Sequence, residues 1–214
     1  MIGLILLAGC SKGNGKKEDP GDEVSETHPR KGFGISEEMP EGELFKLPAG
    51  VVLIQPIQGY DETYKQFCND KTEKDAKGCG QGVRLCIALR NTTTQIIHVS
   101  FPSGMIYLSQ NHKTQHGILI QGETVDLGPG QDFYVPLFVC CMNSSLAGAF
   151  PGDQYEFGPV SSDKEVKKLL GLLENKKLPL TGLGAIGIEH LVWDISDGPL
   201  SDESKNYIAN LPNK

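Results

Sequence analysis

Apolar residues come in short runs between residues 44 and 160 and at helical spacing after residue 161. The runs Val51 to Ile57, Gly82 to Arg90, Gln95 to Phe101, Gly117 to Gln121, Glu123 to Leu127 and Asp132 to Met142 are rich in β-branched and aromatic residues. Gly, Pro, Asn and Asp bound them, so strands are expected. Asn91-Thr92-Thr93-Thr94 and Gly128-Pro129-Gly130 read as turns, and no helical pattern intervenes before residue 161. Antiparallel pairing is therefore expected rather than βαβ winding. The period then changes. Ser162 and Glu165 have capping-box spacing, and Val166, Leu169, Leu170 and Leu173 share a helical face, which predicts a helix over Asp163 to Glu174 ended by Leu178-Pro179. A second helix is expected from Thr181 or Gly182 to about Ile195, with Leu183, Ile186, His190 and Trp193 near one face. A short third covers Asp202 to Asn210, turning Tyr207, Ile208 and Leu211 inward. The fold class expected is mainly β: an antiparallel β-sandwich over 44–160, with two to three C-terminal helices (161–214) packed on it in a single globular domain, 44–214.

The chain has 214 residues, 38% hydrophobic and 22% charged, which suits one domain of ordinary size plus a polar tail. No apolar run approaches the roughly 18 residues of a membrane-spanning helix. The net charge of -7 and pI near 5.2 argue against a nucleic-acid partner. Residues 10–43 carry few apolar side chains beyond Val24, Phe33, Ile35 and Met39, too few to offset their ordering entropy. They read as a flexible tether with a coil span on the order of 30 Å.

The first ten residues are a short apolar stretch ending in small residues and a cysteine, and Leu7-Ala8-Gly9-Cys10 resembles a bacterial lipobox. That resemblance implies a lipoprotein signal peptide over residues 1–9 and acyl chains on Cys10. Each buried methylene contributes about 0.8 kcal/mol, so several chains would hold the protein firmly to a membrane. The implied location is the bacterial cell envelope, at the outer membrane or cell surface. No Lys or Arg precedes the apolar run, a departure from the usual signal.

Setting Cys10 aside, five cysteines remain: Cys68, Cys79, Cys86, Cys140 and Cys141. Cys68 and Cys79 bracket a short polar loop and are expected to pair, a closure worth roughly 2–3 kcal/mol. Strand alternation sorts the others. Val83, Leu85, Ile87 and Leu89 form the apolar set of their strand, which turns Cys86 to the opposite face. Phe133, Val135, Leu137, Val139 and Cys141 form the apolar set of the later strand, leaving Cys140 outward. Cys86 and Cys140 can then bridge if their strands are neighbours, and Cys141 is left as an inward thiol. No CxxC pair exists, and His112 and His116 fall on an expected loop, so neither metal nor cofactor is expected.

The segment Phe138-Val139-Cys140-Cys141-Met142-Asn143, followed by an amphipathic helix and Ile188-Glu189-His190-Leu191-Val192-Trp193, resembles the thioester domains of bacterial surface adhesins. In that family a strand cysteine and a helix glutamine join as an internal thioester that captures a nucleophile on a host surface. The resemblance covers roughly residues 137–197 and implies Cys141 as the cysteine, Glu189 at the glutamine position and Trp193 as the closing tryptophan. Glu189 stands where the reaction needs an amide, Ile188 replaces the family's threonine and Leu191 its alanine. It thus implies a relative that keeps the architecture without the reactive glutamine.

The function expected is a lipid-anchored, non-catalytic binding or structural module of the cell envelope. Its partner would be a protein or glycan met by edge strands and loops such as Tyr107 to Gly117. The alternative is a covalent adhesin domain using Cys141 and Glu189. A hydrolase reading would rest on Ser103, His98 and Asp126, but no GxSxG elbow sets a serine beside a base, so no enzyme is expected.

Overall fold

The computed structural model describes residues 30–214; the lipobox, Cys10 and the greater part of the expected tether lie outside the described residues. The strands are β1 (Gly42–Leu44), β2 (Val51–Leu53), β3 (Ile57–Gly59), β4 (Lys77–Gly78), β5 (Val83–Asn91), β6 (Ile97–Phe101), β7 (Met105–Ser109), β8 (Gly117–Ile118), β9 (Glu123–Leu127), β10 (Asp132–Cys141) and β11 (Gln154–Ser161). Three helices follow, α1 (Lys164–Leu173), α2 (Gly182–Asp197) and α3 (Asp202–Asn210), while two 3-10 segments, Glu62–Cys68 and Glu73–Asp75, lie between β3 and β4.

The long strands β5 and β10 decide the architecture. β5, β3, β11, β7, β8 and β10 pair in that order, each antiparallel to the next, and β10 returns to β5 from Asp132↔Arg90 to Val139↔Val83. The result is a closed six-stranded antiparallel barrel with β1, β2 and β4 as extra strands, which corrects the expected sandwich. Closure depends on β7 and β11, and neither carries a sustained alternation: β7 is apolar at four successive positions, and in β11 the alternation of Gln154 to Phe157 stops at Gly158-Pro159. β7 is buried at four of its five positions because the barrel interior takes one face and the helices cover the other. β11 contains Gly158-Pro159 and shifts register between Phe157 and Val160. The expected strand Val51 to Ile57 is two pieces: Leu53 pairs with Leu89 but Gln58 with Cys86, so extra chain bulges out around Pro56, which cannot donate to the ladder.

Alternation then fills two cores. Val83, Leu85, Ile87 and Leu89 from β5 meet Val135, Leu137, Val139 and Cys141 from β10 inside the barrel. The β6–β9 ribbon adds Val99, Phe101, Val125 and Leu127 to that interior. Outside, Ile106, Ile118, Cys140 and Met142 pack under Val166, Leu169, Ile188, Val192, Ile195 and Ile208 of the helices. Asp163 caps α1 by accepting from the Glu165 and Val166 backbone N–H groups at 2.9 and 3.0 Å, one residue later than the Ser162 spacing suggested.

On α2 the buried face is Ala185, Ile188, Val192 and Ile195, whereas Leu183 and His190 are exposed, which corrects the face expected from periodicity. The helix is apolar nearly all round, so its pattern cannot select a side. Glycine selects it: a Cβ on Gly187 would sit 2.3 Å from Tyr207 Oη, and that hydroxyl donates to the Gly184 carbonyl at 3.2 Å.

Residues 30–43, assigned to the tether on composition, pack against the domain from Arg30 onward. Phe33 is 1% exposed, and the Arg30 guanidinium donates to the carbonyls of Ile195 and Gly198 and pairs with Asp163 at 3.2 Å. One buried aromatic, one arginine clamp and hydrogen bonds from Gly34 to Met142 and from Asn143 to Gly32 and Gly34 hold the segment, a local effect that averaged composition hides.

The disulfide joins Cys68 to Cys86, while Cys79, Cys140 and Cys141 are free and buried. This corrects both expected pairs, Cys68 with Cys79 and Cys86 with Cys140. The β5 and β10 strands are neighbours, but their register sets Cys86 opposite Pro136, four residues short of Cys140 and therefore roughly 13 Å away along the strand. The 3-10 segment ending at Cys68 supplies the sulfur that Cys86 meets on the outer face.

Candidate functional site

At one rim of the barrel, α2 crosses the end of β10 and the turn that leads from β4 into β5. The strand alternation of β10 turns Cys141 inward, and α2 carries Glu189 to the same place with Trp193 one turn further on. Glu189 is 4% exposed, and its Oε1 accepts hydrogen bonds from the backbone N–H groups of Gln81 at 2.8 Å and Gly82 at 2.9 Å. Gln81 ties the helix down a second time, because its side-chain oxygen accepts from the Gly182 N–H at 3.1 Å. That bond serves the first turn of α2, whose N-cap Thr181 makes no side-chain cap.

Gly82 brings the strand, turn and helix into contact. A Cβ there would lie 2.3 Å from Cys141 Sγ and 3.7 Å from Glu189 Oε1, so the three groups share one small volume. Burial pushes the Cys141 thiol far above its ordinary range, and the Glu189 charge and hydrogen bonding to that carboxylate push it the same way. Among the described residues no lysine or arginine forms an ion pair with Glu189. The arrangement therefore keeps the thiol protonated and holds the carboxylate between two backbone donors. A carboxylate at that place offers no good leaving group on its acyl carbon, which makes it a poor electrophile. Trp193 packs against the interior core with its ring 5.1 Å from His190, and its buried Nε1 has no partner among the described residues.

A second, open site lies at the loop between β7 and β8. A polar cleft of about 600 Å³ is lined by Ser109, Gln110, His112, Thr114, His116, Asn143 and Ser145, with Gly34–Glu37 along one side. Asn143 holds that edge in place, its Nδ2 donating to the carbonyls of Gly32 and Gly34 at 3.2 Å each. Burial lowers the pKa of His116 below 6.5, and its Nδ1 accepts from the Ser109 N–H at 3.0 Å, so the proton of the neutral ring sits on Nε2. Between the lowered pKa and 6.5 the folded state binds fewer protons than the unfolded chain, so this residue's contribution falls as pH falls through that window. Melting temperatures read from about pH 7.5 to about pH 5 are expected to drop on the acid side. His116→Asn, which keeps an acceptor at the Nδ1 position and does not titrate, is expected to flatten that drop; an unchanged slope would assign it to other groups.

The hydrolase candidates are not brought together. His98 Nδ1 meets Asp126 Oδ1 at 2.6 Å as a cross-strand pair on the exposed face of the β6–β9 ribbon, but Ser103 lines a different cleft, beside Gln121 and Lys167. His112 and His116 line the polar cleft, and among the described residues no group of three or more His, Cys, Asp or Glu could hold a metal ion.

Gln81 and Gly82 were not among the residues expected to matter. Their contribution is made by backbone N–H groups, and its one trace in the sequence is the alternating glycine of Gly78-Cys79-Gly80-Gln81-Gly82. Comparison of the chain with family models, curated proteins and solved structures finds no match.

Proposed function

We propose that the chain is a lipid-anchored module of the bacterial cell envelope that binds a protein or glycan partner without catalysis. The observation that carries the binding role is the polar cleft of about 600 Å³ between the Ser109–His116 loop and the Asn143–Leu146 turn. It is open, it is lined by hydrogen-bonding side chains, and it falls in the loop region expected to meet a partner. The rim thiol supports the non-catalytic part, since a protonated, buried cysteine is a poor nucleophile. Anchoring rests on the lipobox resemblance at Leu7-Ala8-Gly9-Cys10.

Full-length protein displayed on bacteria tests the reading. Incorporation of an acyl-chain label is expected in the natural chain and not in Cys10→Ser. Glycans or matrix proteins captured by these cells are expected to be lost with Gln110→Arg/Ser145→Arg, which fills the cleft from two exposed positions. Capture that survives both substitutions would place the binding elsewhere.

A second reading, a thioester-type covalent domain, is favoured by the shared volume of Cys141 and Glu189 at the rim. Closure of that bond would leave the natural chain lighter by one water, and Glu189→Gln lighter by one ammonia. Intact masses equal to the calculated ones in both proteins would end this reading.

A further inference from the structure

We propose that Cys79 and Cys140 form a second disulfide, which closes when the chain folds under oxidising conditions and fastens the turn that holds Glu189. The two side chains share the core beneath the helices, at 3% and 0% exposure, although spacing assigned them to different pairs, Cys79 with Cys68 and Cys140 with Cys86. The parallel pairing of β4 with β10 sets Gly78 beside Phe138, and the Cys79 N–H continues it to the Phe138 carbonyl at 3.0 Å. Cys79 therefore stands across from Val139, one residue from Cys140. Strands about 4.8 Å apart and a rise of about 3.3 Å separate their Cα atoms by roughly 6 Å, within the range of about 4.4–6.8 Å that a disulfide spans.

The facing of the side chains fits as well. Val139 points into the barrel, and a residue opposite it in a regular ladder would do the same. β4 ends at Gly78, whose φ of +87° turns the backbone, and Cys79 consequently joins Cys140 on the helix side. There the Cys140 Sγ lies 3.4 Å from the Cys79 carbonyl oxygen, and the Cys79 thiol is its hydrogen-bonding neighbour. The Cys68–Cys86 bond already places this protein with chains that form disulfides. Cys141 is excluded from the pair because it projects to the opposite face of the same strand.

Closure requires a disulfide oxidant, such as oxidised glutathione or a thiol–disulfide oxidoreductase. One cysteine thiolate attacks the oxidant's S–S bond, forming a mixed disulfide and expelling a thiol. The second cysteine then displaces the other half, so two protons and two electrons pass from the pair to the oxidant. Both sulfurs are inaccessible once the helices have docked, so the bond forms during folding. It would tie Cys79 to β10 two residues before Gln81, and thereby fix the N–H pair that grips Glu189.

The full chain carrying Cys10→Ser, refolded from the reduced state in a glutathione buffer and alkylated in denaturant, tests this by peptide mapping without reductant. Expected are Cys68–Cys86 and Cys79–Cys140 linked peptides and one alkylated thiol, at Cys141. A chain with Cys68–Cys86 closed and Cys79, Cys140 and Cys141 all alkylated would overturn the proposal, as would Cys79 joined to any other cysteine. Cys79→Ser/Cys140→Ser gives a second readout. It is expected to melt below the parent without reductant, and the gap is expected to narrow once reductant has opened both bridges in denaturant before refolding; a gap unchanged by reduction would likewise overturn it.

Discussion

Glu189→Leu is expected to destabilise the folded chain by about 3–5 kcal/mol, the largest effect of any single substitution at the barrel rim. Leucine keeps most of the side-chain volume but accepts no hydrogen bond, so the Gln81 and Gly82 N–H groups lose their partner together. Each unsatisfied donor in a site closed to water costs roughly 1–3 kcal/mol, and bonds to a charged acceptor lie at the upper end. Glu189→Gln offers an amide oxygen to the same donors and is expected to cost about 1 kcal/mol, the difference between a charged and a neutral acceptor. Urea unfolding of the two variants separates these cases. Equal losses would mean that the carboxylate's charge, and not its bonds to the turn, holds α2 on the barrel.

Loss of those bonds reaches further than one side chain. Gln81 also accepts from the first turn of α2, and the Gly80 N–H donates to the Leu180 carbonyl at 3.3 Å, so turn and helix are held at three points. Releasing the one at Glu189 loosens the helix that covers Ile118 and Cys140. Local opening of α2, read by amide exchange, should accompany the global loss in Glu189→Leu.

What could be read from the chain beforehand was set by side-chain period. Alternation in β5 and β10 separates Cys86 from Leu85 and Ile87, and Cys141 from Cys140, and the two cores divide along the same lines. Period says nothing of register or closure. That Pro136 lies opposite Cys86 is set by the β5–β10 pairing itself, and closure of the ring runs through β7, buried on both faces, and β11, interrupted by Gly158-Pro159, where the signal is erased. The same limit explains α2. Its sequence is apolar enough that Leu183 and Ile188 look equivalent, and the choice of face is made by Gly187 leaving room for Tyr207, whose hydroxyl donates to the Gly184 carbonyl. At the rim, Cys141 and Glu189 were singled out by a family resemblance over short motifs, whereas Gln81 and Gly82 act through main-chain atoms that no side-chain pattern reports.

Gly82→Ala probes that main-chain part directly, with an expected cost of about 2–3 kcal/mol. Gly82 has no need of a left-handed conformation, so the penalty comes from space alone. The added methyl would sit 2.3 Å from Cys141 Sγ, well inside contact distance, and a buried sulfur with β10 behind it has little room to retreat. Overpacking of this kind typically costs about 1–3 kcal/mol. Cys141→Ala removes the obstructing atom at about 1 kcal/mol of its own, the loss of one buried group. In the Cys141→Ala background the glycine substitution is then expected to cost less than about 1 kcal/mol, giving a favourable coupling of roughly 2 kcal/mol in the double-mutant cycle. Strict additivity would instead place the obstruction in the backbone. The Gly82 carbonyl is fixed there by the Ala149 N–H at 2.9 Å and closely approached by Gly148, so the turn itself would be the rigid element against which strand and helix are set.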